Sequence, residues 1–287
     1  MAAHLQTDAT AESKITSQSH LLEKPSSLVP GNLAPLISRL RSVGDAPDPY
    51  QIHQHGRSAV MVPLTVRKSS AGYELDVILT KRSAGMSFHG GAIVLPGGKL
   101  DDVDPTLLAT ALREAEEEIA LPPSLVEPLC TLPLHLARDD LIVTPIVCLV
   151  HPSFRPVCNP AEVQAVVRVP LKTFLEPEDG QHSSYQSWWK RRLVHTYNVQ
   201  VFWEGDDSNA PQSTPDAVSE PVARSDVVNW MTADICLETA VAAFGREPNF
   251  ERNGTWTKDI ERSQRWKKVE SSDGSARQSS RKRKGVM

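Results

Sequence analysis

From Arg113 to Leu121 the chain reads Arg-Glu-Ala-Glu-Glu-Glu-Ile-Ala-Leu. In a helix, at about 100° per residue, Glu114, Glu117 and Glu118 share one face and Glu116 turns toward solvent. Three carboxylates spaced i, i+3, i+4 repel one another by roughly 0.2–0.5 kcal/mol per pair. A bound cation would reverse that cost, and an all-oxygen ligand set suits a hard divalent ion such as Mg2+ or Mn2+. Taken alone, such a run is ordinarily a solvated helix face. Its neighbourhood adds to it. Leu95-Pro96-Gly97-Gly98 comes shortly before, and glycines let backbone approach a ligand closely. Arg113 can brace the glutamates through charge-assisted hydrogen bonds.

The carboxylates need a helix to carry them, and residues 106–120 have helix-forming composition, with Pro122-Pro123 as the stop. Upstream, the apolar runs 59–66 and 75–80 flank residues 67–72, a hairpin signature with a Gly-containing loop. Residues 141–150 read as a buried strand, 163–169 as a second closed by Pro170, and 193–203 as a third. Leu33, Leu36, Ile37 and Leu40 fall at helical spacing, with Asn32 as N-cap and Pro35 in the first turn. Residues 226–244 read as a helix with Trp230, Ala233, Leu237, Ala240 and Val241 near one apolar stripe. Interspersed strands and helices, with both hairpins and crossovers, predict an α/β fold: a mixed β-sheet flanked by helices. The domain is expected over residues 31–250, with a flexible acidic insertion at 206–224. A disordered tail precedes it at 1–30, and a polar, basic tail follows at 251–287.

Composition excludes several classes. The chain has 287 residues, 40% of them apolar, and a net charge of −4. Nothing in that balance attracts nucleic acid or an anionic membrane. No apolar run reaches the ~18–20 residues of a membrane span. Cys130, Cys148, Cys158 and Cys236 are too scattered for a zinc ribbon and read as reduced thiols of an intracellular protein. No targeting signal is recognised, neither in residues 1–19 nor in the ending Gly285-Val286-Met287.

Gly97-Gly98, the acids Asp101, Asp102 and Asp104, and the run 113–121 together resemble the signature of the Nudix hydrolases: a glycine, a loop acid, then R-E-apolar-x-E-E-x-G-apolar. Two positions depart from it. Gly98 to Arg113 spans one residue more than the general signature, and Ala120 stands where glycine is usual. The longer loop is a feature of the coenzyme A diphosphatase branch. Leu79-Thr80-Lys81-Arg82-Ser83 and His89-Gly90-Gly91 resemble that branch's upstream motif, with Met86-Ser87, Ala92 and Leu95 as departures. Val143-Thr144-Pro145, Asn159-Pro160-Ala161-Glu162-Val163, Val169-Pro170-Leu171 and Met231-Thr232-Ala233-Asp234 resemble its later segments. The likeness covers residues 33–250 and implies a Nudix-type α/β/α sandwich that cleaves a diphosphate linkage of coenzyme A or an acyl-CoA. It also implies Mg2+ or Mn2+ held by Glu114, Glu117, Glu118 and a Gly97 or Gly98 carbonyl, with no covalent enzyme intermediate. Ala120 should matter little if its position stays helical, since glycine is required only for a left-handed cap.

The remaining candidates are weighed against ordinary structural roles. Arg82 suits phosphate oxygens, or a surface ion pair. Ser83, His89 and Gly91 join it as substrate-binding candidates by their place in the upstream motif. A lone His89 is as readily structural. By analogy, Glu162 lies where an acid of related hydrolases activates water, which adds it to Arg113, Glu117 and Glu118 as catalytic candidates. Trp188 and Trp189 with Lys190-Arg191-Arg192 would stack on a base and hold a phosphate, or form a core edge. The run Arg281–Lys284 is by default a solvated tail, with a nuclear address or a nucleic-acid patch as the alternatives. Two other functions stay open: hydrolysis of ADP-ribose or NADH, and a Nudix-like binding module without catalysis. The compartment expected is the cytoplasm or the peroxisome, and the partner is a small molecule.

Overall fold

Alternation at period two sorts the strand residues onto two faces, and here both faces are apolar. Ala59, Met61, Ile78, Ile146, Cys148 and Val166 belong to one core. Their neighbours Val62, Leu64, Val77, Leu79, Val147, Leu149 and Val167 belong to the other. A sheet buried on both sides needs helices on both, which makes three layers. In the computed structural model, which describes residues 23–48, 56–86, 89–137, 141–187, 192–204 and 223–253, this is the arrangement found.

The elements run α1 (Ala34–Val43), β1 (Arg57–Ser69), β2 (Gly72–Arg82), β3 (Ile93–Val94), β4 (Gly97–Lys99), α2 (Leu107–Ile119), β5 (Val126–Thr131), β6 (His135–Leu136), β7 (Ile142–Val150), β8 (Val163–Pro170), β9 (His182–Gln186), β10 (Leu193–Glu204), β11 (Ala223–Asn229) and α3 (Trp230–Phe244). The sheet order is β11-β10-β8-β2-β1-β7-β5, with β3, β4, β6 and β9 as short additions. β1 and β7 pair in parallel and the other pairs are antiparallel, so the sheet is mixed. Leu107, Ala111, Ala115 and Ile119 seat α2 on one face. Ile37 and Leu40 of α1, with Ala233, Leu237 and Ala240 of α3, cover the other.

Several expectations move. Asn32 is not the N-cap of α1; Leu33 holds that place, and the Asn32 side chain donates to the Tyr73 carbonyl at 2.9 Å. The hairpin loop shrinks to Ser70-Ala71, because Arg67 pairs with Asp76 (2.6 Å) and Glu74 across the strands. Cross-strand charge pairs let polar residues extend a ladder. Residues 226–229 are strand, not helix: Val227 and Val228 pair with β10, and Asp226 meets Lys81 at 2.7 Å. Trp230 leaves the apolar stripe and is exposed, with φ 55°. The tail expected through residue 30 has Pro25 buried, and Ser26 bonds Glu127 through its amide and hydroxyl, both at 3.0 Å. Ala223 and Arg224, assigned to the insertion, already belong to β11. At the other boundary, the Asn253 amide donates to Leu193 O at 2.7 Å. Residues 205–222, Trp188 to Arg191 and Arg281–Lys284 lie outside the described residues. Among the described residues no helix is long and apolar enough to cross a membrane. Cys130, Cys148, Cys158 and Cys236 are all free thiols.

Candidate active site

The helix that carries the glutamates starts where its sequence says it should. Thr106 caps α2 by accepting from the Ala109 amide at 3.1 Å, meeting one of the unpaired first-turn donors. Its other end departs from expectation. Ala120 is left-handed, with φ 55° and ψ 37°, so the position is the cap that favours glycine rather than a helical residue. Its amide returns to Glu116 O at 2.9 Å. Alanine pays about 1–2 kcal/mol there for its Cβ.

Glu114, Glu117 and Glu118 share one face by angle but not by environment. Glu118 is 2% exposed, far from a solvated ligand face, and its Oε2 has no hydrogen-bond partner. Burial first, then the charge of Glu114, pushes its carboxyl up to about 8; Arg82 and the Gly97 amide act the other way. Burial also raises Glu114, against the pull of Arg113. The Glu117 side chain is 53% exposed and turned to Arg113. Glu116 is exposed, as expected.

Both glycines are required by space. A Cβ on Gly97 would stand 2.6 Å from the Val60 Cα, at a φ of 151°. A Cβ on Gly98 would stand 2.6 Å from the Glu114 Oε2. β4 therefore lies directly against the Glu114 carboxylate. The Gly98 carbonyl accepts from the Ser58 hydroxyl at 2.5 Å.

Arg113 braces this arrangement. Its Nη1 donates to Glu114 at 2.9 Å and Glu117 at 3.1 Å. The other side of the guanidinium forks onto Asp104, at 3.1 and 2.9 Å. Asp104 is 4% exposed, and the Arg113 bond holds its carboxyl below the usual carboxylate range. Sequence marks Asp104 as a loop acid but not as the partner of Arg113. The signal was an acid nine residues before Arg113, across a turn whose length pattern alone does not fix.

Arg82 and Glu162 arrive from the sheet. Pairing of β2 with β8 shifts register between Lys81 and Arg82, so Arg82 faces Val163 and Gln164 is skipped. Such a bulge re-aims a side chain, and the Arg82 guanidinium comes near enough to counter the charge of Glu118. The loop before β8 docks on the end of α2: the Val157 amide donates to Ile119 O at 3.1 Å and the Asn159 amide to Glu118 O at 2.9 Å. These are carbonyls a helix leaves unpaired. The docking brings Glu162 close enough to repel both Glu114 and Glu118. His89 is exposed, and its turn folds back onto Arg82 through Gly91 N to Arg82 O at 3.0 Å and Arg82 N to Ala92 O at 3.0 Å. Ser83 gives its hydroxyl to Pro160 O at 3.0 Å and its amide to Glu162 O at 2.8 Å. Its polar groups are engaged by the loop rather than aimed at a ligand.

Among the described residues no three acidic, histidine or cysteine side chains already stand together as an ion's ligand set, and Glu117 is paired with Arg113. The donor chemistry nonetheless fits a hard cation. An orphaned, buried Glu118 oxygen, the Glu114 carboxylate against β4 and the nearby Glu162 make an excess of negative charge that burial alone would not tolerate.

The NUDIX domain model matches residues 55–220. "Nudix hydrolase 22, chloroplastic" of Arabidopsis thaliana is 37% identical over 62% of this chain and 53% of its own length. "Nudix hydrolase 15, mitochondrial" of the same plant is 34% identical, over 62% and 56%. The chain thus spans about half the length of these plant relatives. "Uncharacterized Nudix hydrolase NudL" of Klebsiella pneumoniae is 34% identical over 57% of this chain and 87% of its own. Among solved structures, the M. smegmatis Nudix hydrolase RenU is 22% identical with a TM-score of 0.34, over 40% of this chain and 71% of its own. With more than half of its length matched by the family model, and the signature residues gathered on α2, β4 and the end of β2, the chain belongs to the Nudix family.

Proposed function

We propose that the protein is a metal-dependent Nudix diphosphatase that hydrolyses coenzyme A or acyl-CoA to 3′,5′-ADP and 4′-phosphopantetheine or its acyl form. The observation that carries the hydrolase reading is the buried, half-partnered Glu118 carboxylate beside Glu114 and the close-approach glycines. Mg2+ or Mn2+, held by Glu114 and Glu118 with Glu117 and a Gly97 or Gly98 carbonyl, would neutralise the diphosphate and acidify the attacking water. Arg113, fixed by Asp104, keeps Glu114 in place. Arg82, with His89 and Gly91 on the adjoining turn, would hold phosphate oxygens. Water attacks one phosphorus, the bridging P–O bond breaks, and Glu162 is the candidate to accept the water's proton.

The coenzyme A assignment rests on the resemblance of Leu79–Ser83 and His89–Gly91 to the upstream motif of that branch, and is supported by Arg82 lying near enough to Glu118 to counter its charge. Hydrolysis of ADP-ribose or NADH by the same site is the second reading, and a binding module without turnover the third. Cytoplasm or peroxisome is the compartment proposed, and a small molecule the partner. The test is a screen of coenzyme A, dephospho-coenzyme A, ADP-ribose and NADH with Mg2+ and with Mn2+, nucleotide products being resolved by chromatography. Coenzyme A should lead, and loss of its 3′-phosphate should lower kcat/KM by about tenfold, equivalent to ~1.4 kcal/mol of charge-assisted contact. Preference for ADP-ribose removes the coenzyme A assignment. Absence of any turnover, together with metal-independent ligand binding, favours the module.

A further inference from the structure

We propose that Ser83 is a positioning residue that holds the Glu162 carboxylate over the glutamates of α2, through the backbone of the loop 157–162, rather than a residue that touches substrate. This rests on the hydrolase reading above, and it concerns how the site is assembled.

The geometry comes from both ends of that loop. At one end the Val157 and Asn159 amides are bonded to the last carbonyls of α2, those of Ile119 and Glu118. At the other end Ser83 takes hold twice, its hydroxyl on Pro160 O at 3.0 Å and its amide on Glu162 O at 2.8 Å. Between these anchors the loop is cross-braced, since Glu162 N and Val163 N both donate to Asn159 O, at 3.0 and 2.8 Å, and Ala161 N donates to Asn159 Oδ1 at 3.2 Å. The register shift at Lys81/Arg82 sets the position of Ser83. With a regular ladder the residue after Arg82 would continue the strand pairing. The bulge instead ends the pairing at Val163 and leaves Ser83 facing the loop carbonyls. One irregularity thus serves two neighbours, bringing Arg82 near Glu118 and fixing the loop that carries Glu162.

Without the hydroxyl, Pro160 O loses the Ser83 bond, and of the two Ser83 anchors on the segment bearing Glu162 only the backbone bond to Glu162 O remains. Outer hydrogen bonds that orient the groups around a metal site typically cost about 10–100-fold in metal affinity or activity when removed. The consequence is visible without turnover. Mn2+ is titrated by electron paramagnetic resonance into the full chain and into Ser83→Ala, Ser83→Thr, Glu162→Gln and the double variant Ser83→Ala/Glu162→Gln. Glu162→Gln removes a carboxylate charge close to Glu114 and Glu118 and, without Glu162 being a ligand itself, should weaken Mn2+ binding by about tenfold. Ser83→Ala should weaken it by a similar factor, Ser83→Thr should restore it, and the double variant should bind no worse than Glu162→Gln alone. In turnover assays Ser83→Ala should lower kcat and leave KM unchanged, the pattern of a group acting after substrate is bound. Losses that multiply in the double variant overturn the proposal, as does wild-type Mn2+ affinity in either single variant, or a rise in KM alone. Wild-type protein that takes up no Mn2+ overturns the hydrolase reading and this proposal together. Uptake with multiplying losses overturns this proposal alone.

Discussion

Replacing Glu118 with glutamine separates catalysis from stability, because the two should move in opposite directions. The side chain is 2% exposed, one oxygen has no partner, and the neighbouring charges of Glu114 and Glu162 are only partly countered by Arg82. Its carboxyl is raised from 4.5 to about 8. A raised acid favours the fold in its protonated form. The contribution of Glu118 to metal-free stability is therefore full below pH 4.5 and falls as pH rises toward 8. At 1.36 kcal/mol per unit the loss approaches roughly 4 kcal/mol by pH 8, an order-of-magnitude figure. Glutamine keeps the shape and cannot ionise. In EDTA, urea unfolding at pH 5 and pH 8 should show wild type losing stability between the two, relative to Glu118→Gln. Added Mn2+ should then stabilise wild type and leave the variant nearly unchanged, since a ligand stabilises only the state that binds it. Activity should fall at least about a hundredfold, the equivalent of ~3 kcal/mol in the barrier. Wild-type turnover in folded Glu118→Gln, or a stability difference that ignores pH, would refute the placement of a cation at this carboxylate.

Ala120→Gly should stabilise the protein by about 1 kcal/mol, because it relieves a left-handed alanine at the end of α2; a melting temperature no higher than wild type contradicts this. Gly98→Ala places a methyl group on the Glu114 carboxylate; circular dichroism should stay native while Mn2+ affinity drops at least about tenfold, and retained affinity rules out Glu114 as a ligand. His195 is fully buried, bonded to His182 at 3.0 Å, and depressed by burial from 6.5 to about 4. Its neutral form belongs to the fold, so the stability it contributes is complete above pH 6.5 and is lost as pH falls through 4, up to roughly 3 kcal/mol. Urea midpoints for wild type and His195→Asn should converge across that window; parallel curves refute the assignment.

The sequence alone was enough for the chemistry carried by one segment. The glutamate spacing, the helix around it and the glycines before it are local facts, and periodicity and capping are local physics. So were β7, β8 and the central strands, because a sheet buried on both faces spells itself as unbroken apolar runs. Polar strands were not legible. Residues 67–69, 72–74 and 226–229 are strand because Arg67 meets Glu74 and Asp76, and Asp226 meets Lys81, from partners whose positions only the sheet supplies. The same holds inside the site. No local rule makes Glu118 buried and Glu117 exposed one residue apart; the packing of α2 on the sheet and the reach of Arg113 decide that. Nor does a loop sequence say that Asp104 anchors Arg113, that Ala120 takes a left-handed turn, or that Ser83 spends its hydroxyl on Pro160. Residue types state what chemistry is available. Burial, register and the carbonyls left open at a helix end determine which of those groups meet, and these belong to the folded chain as a whole.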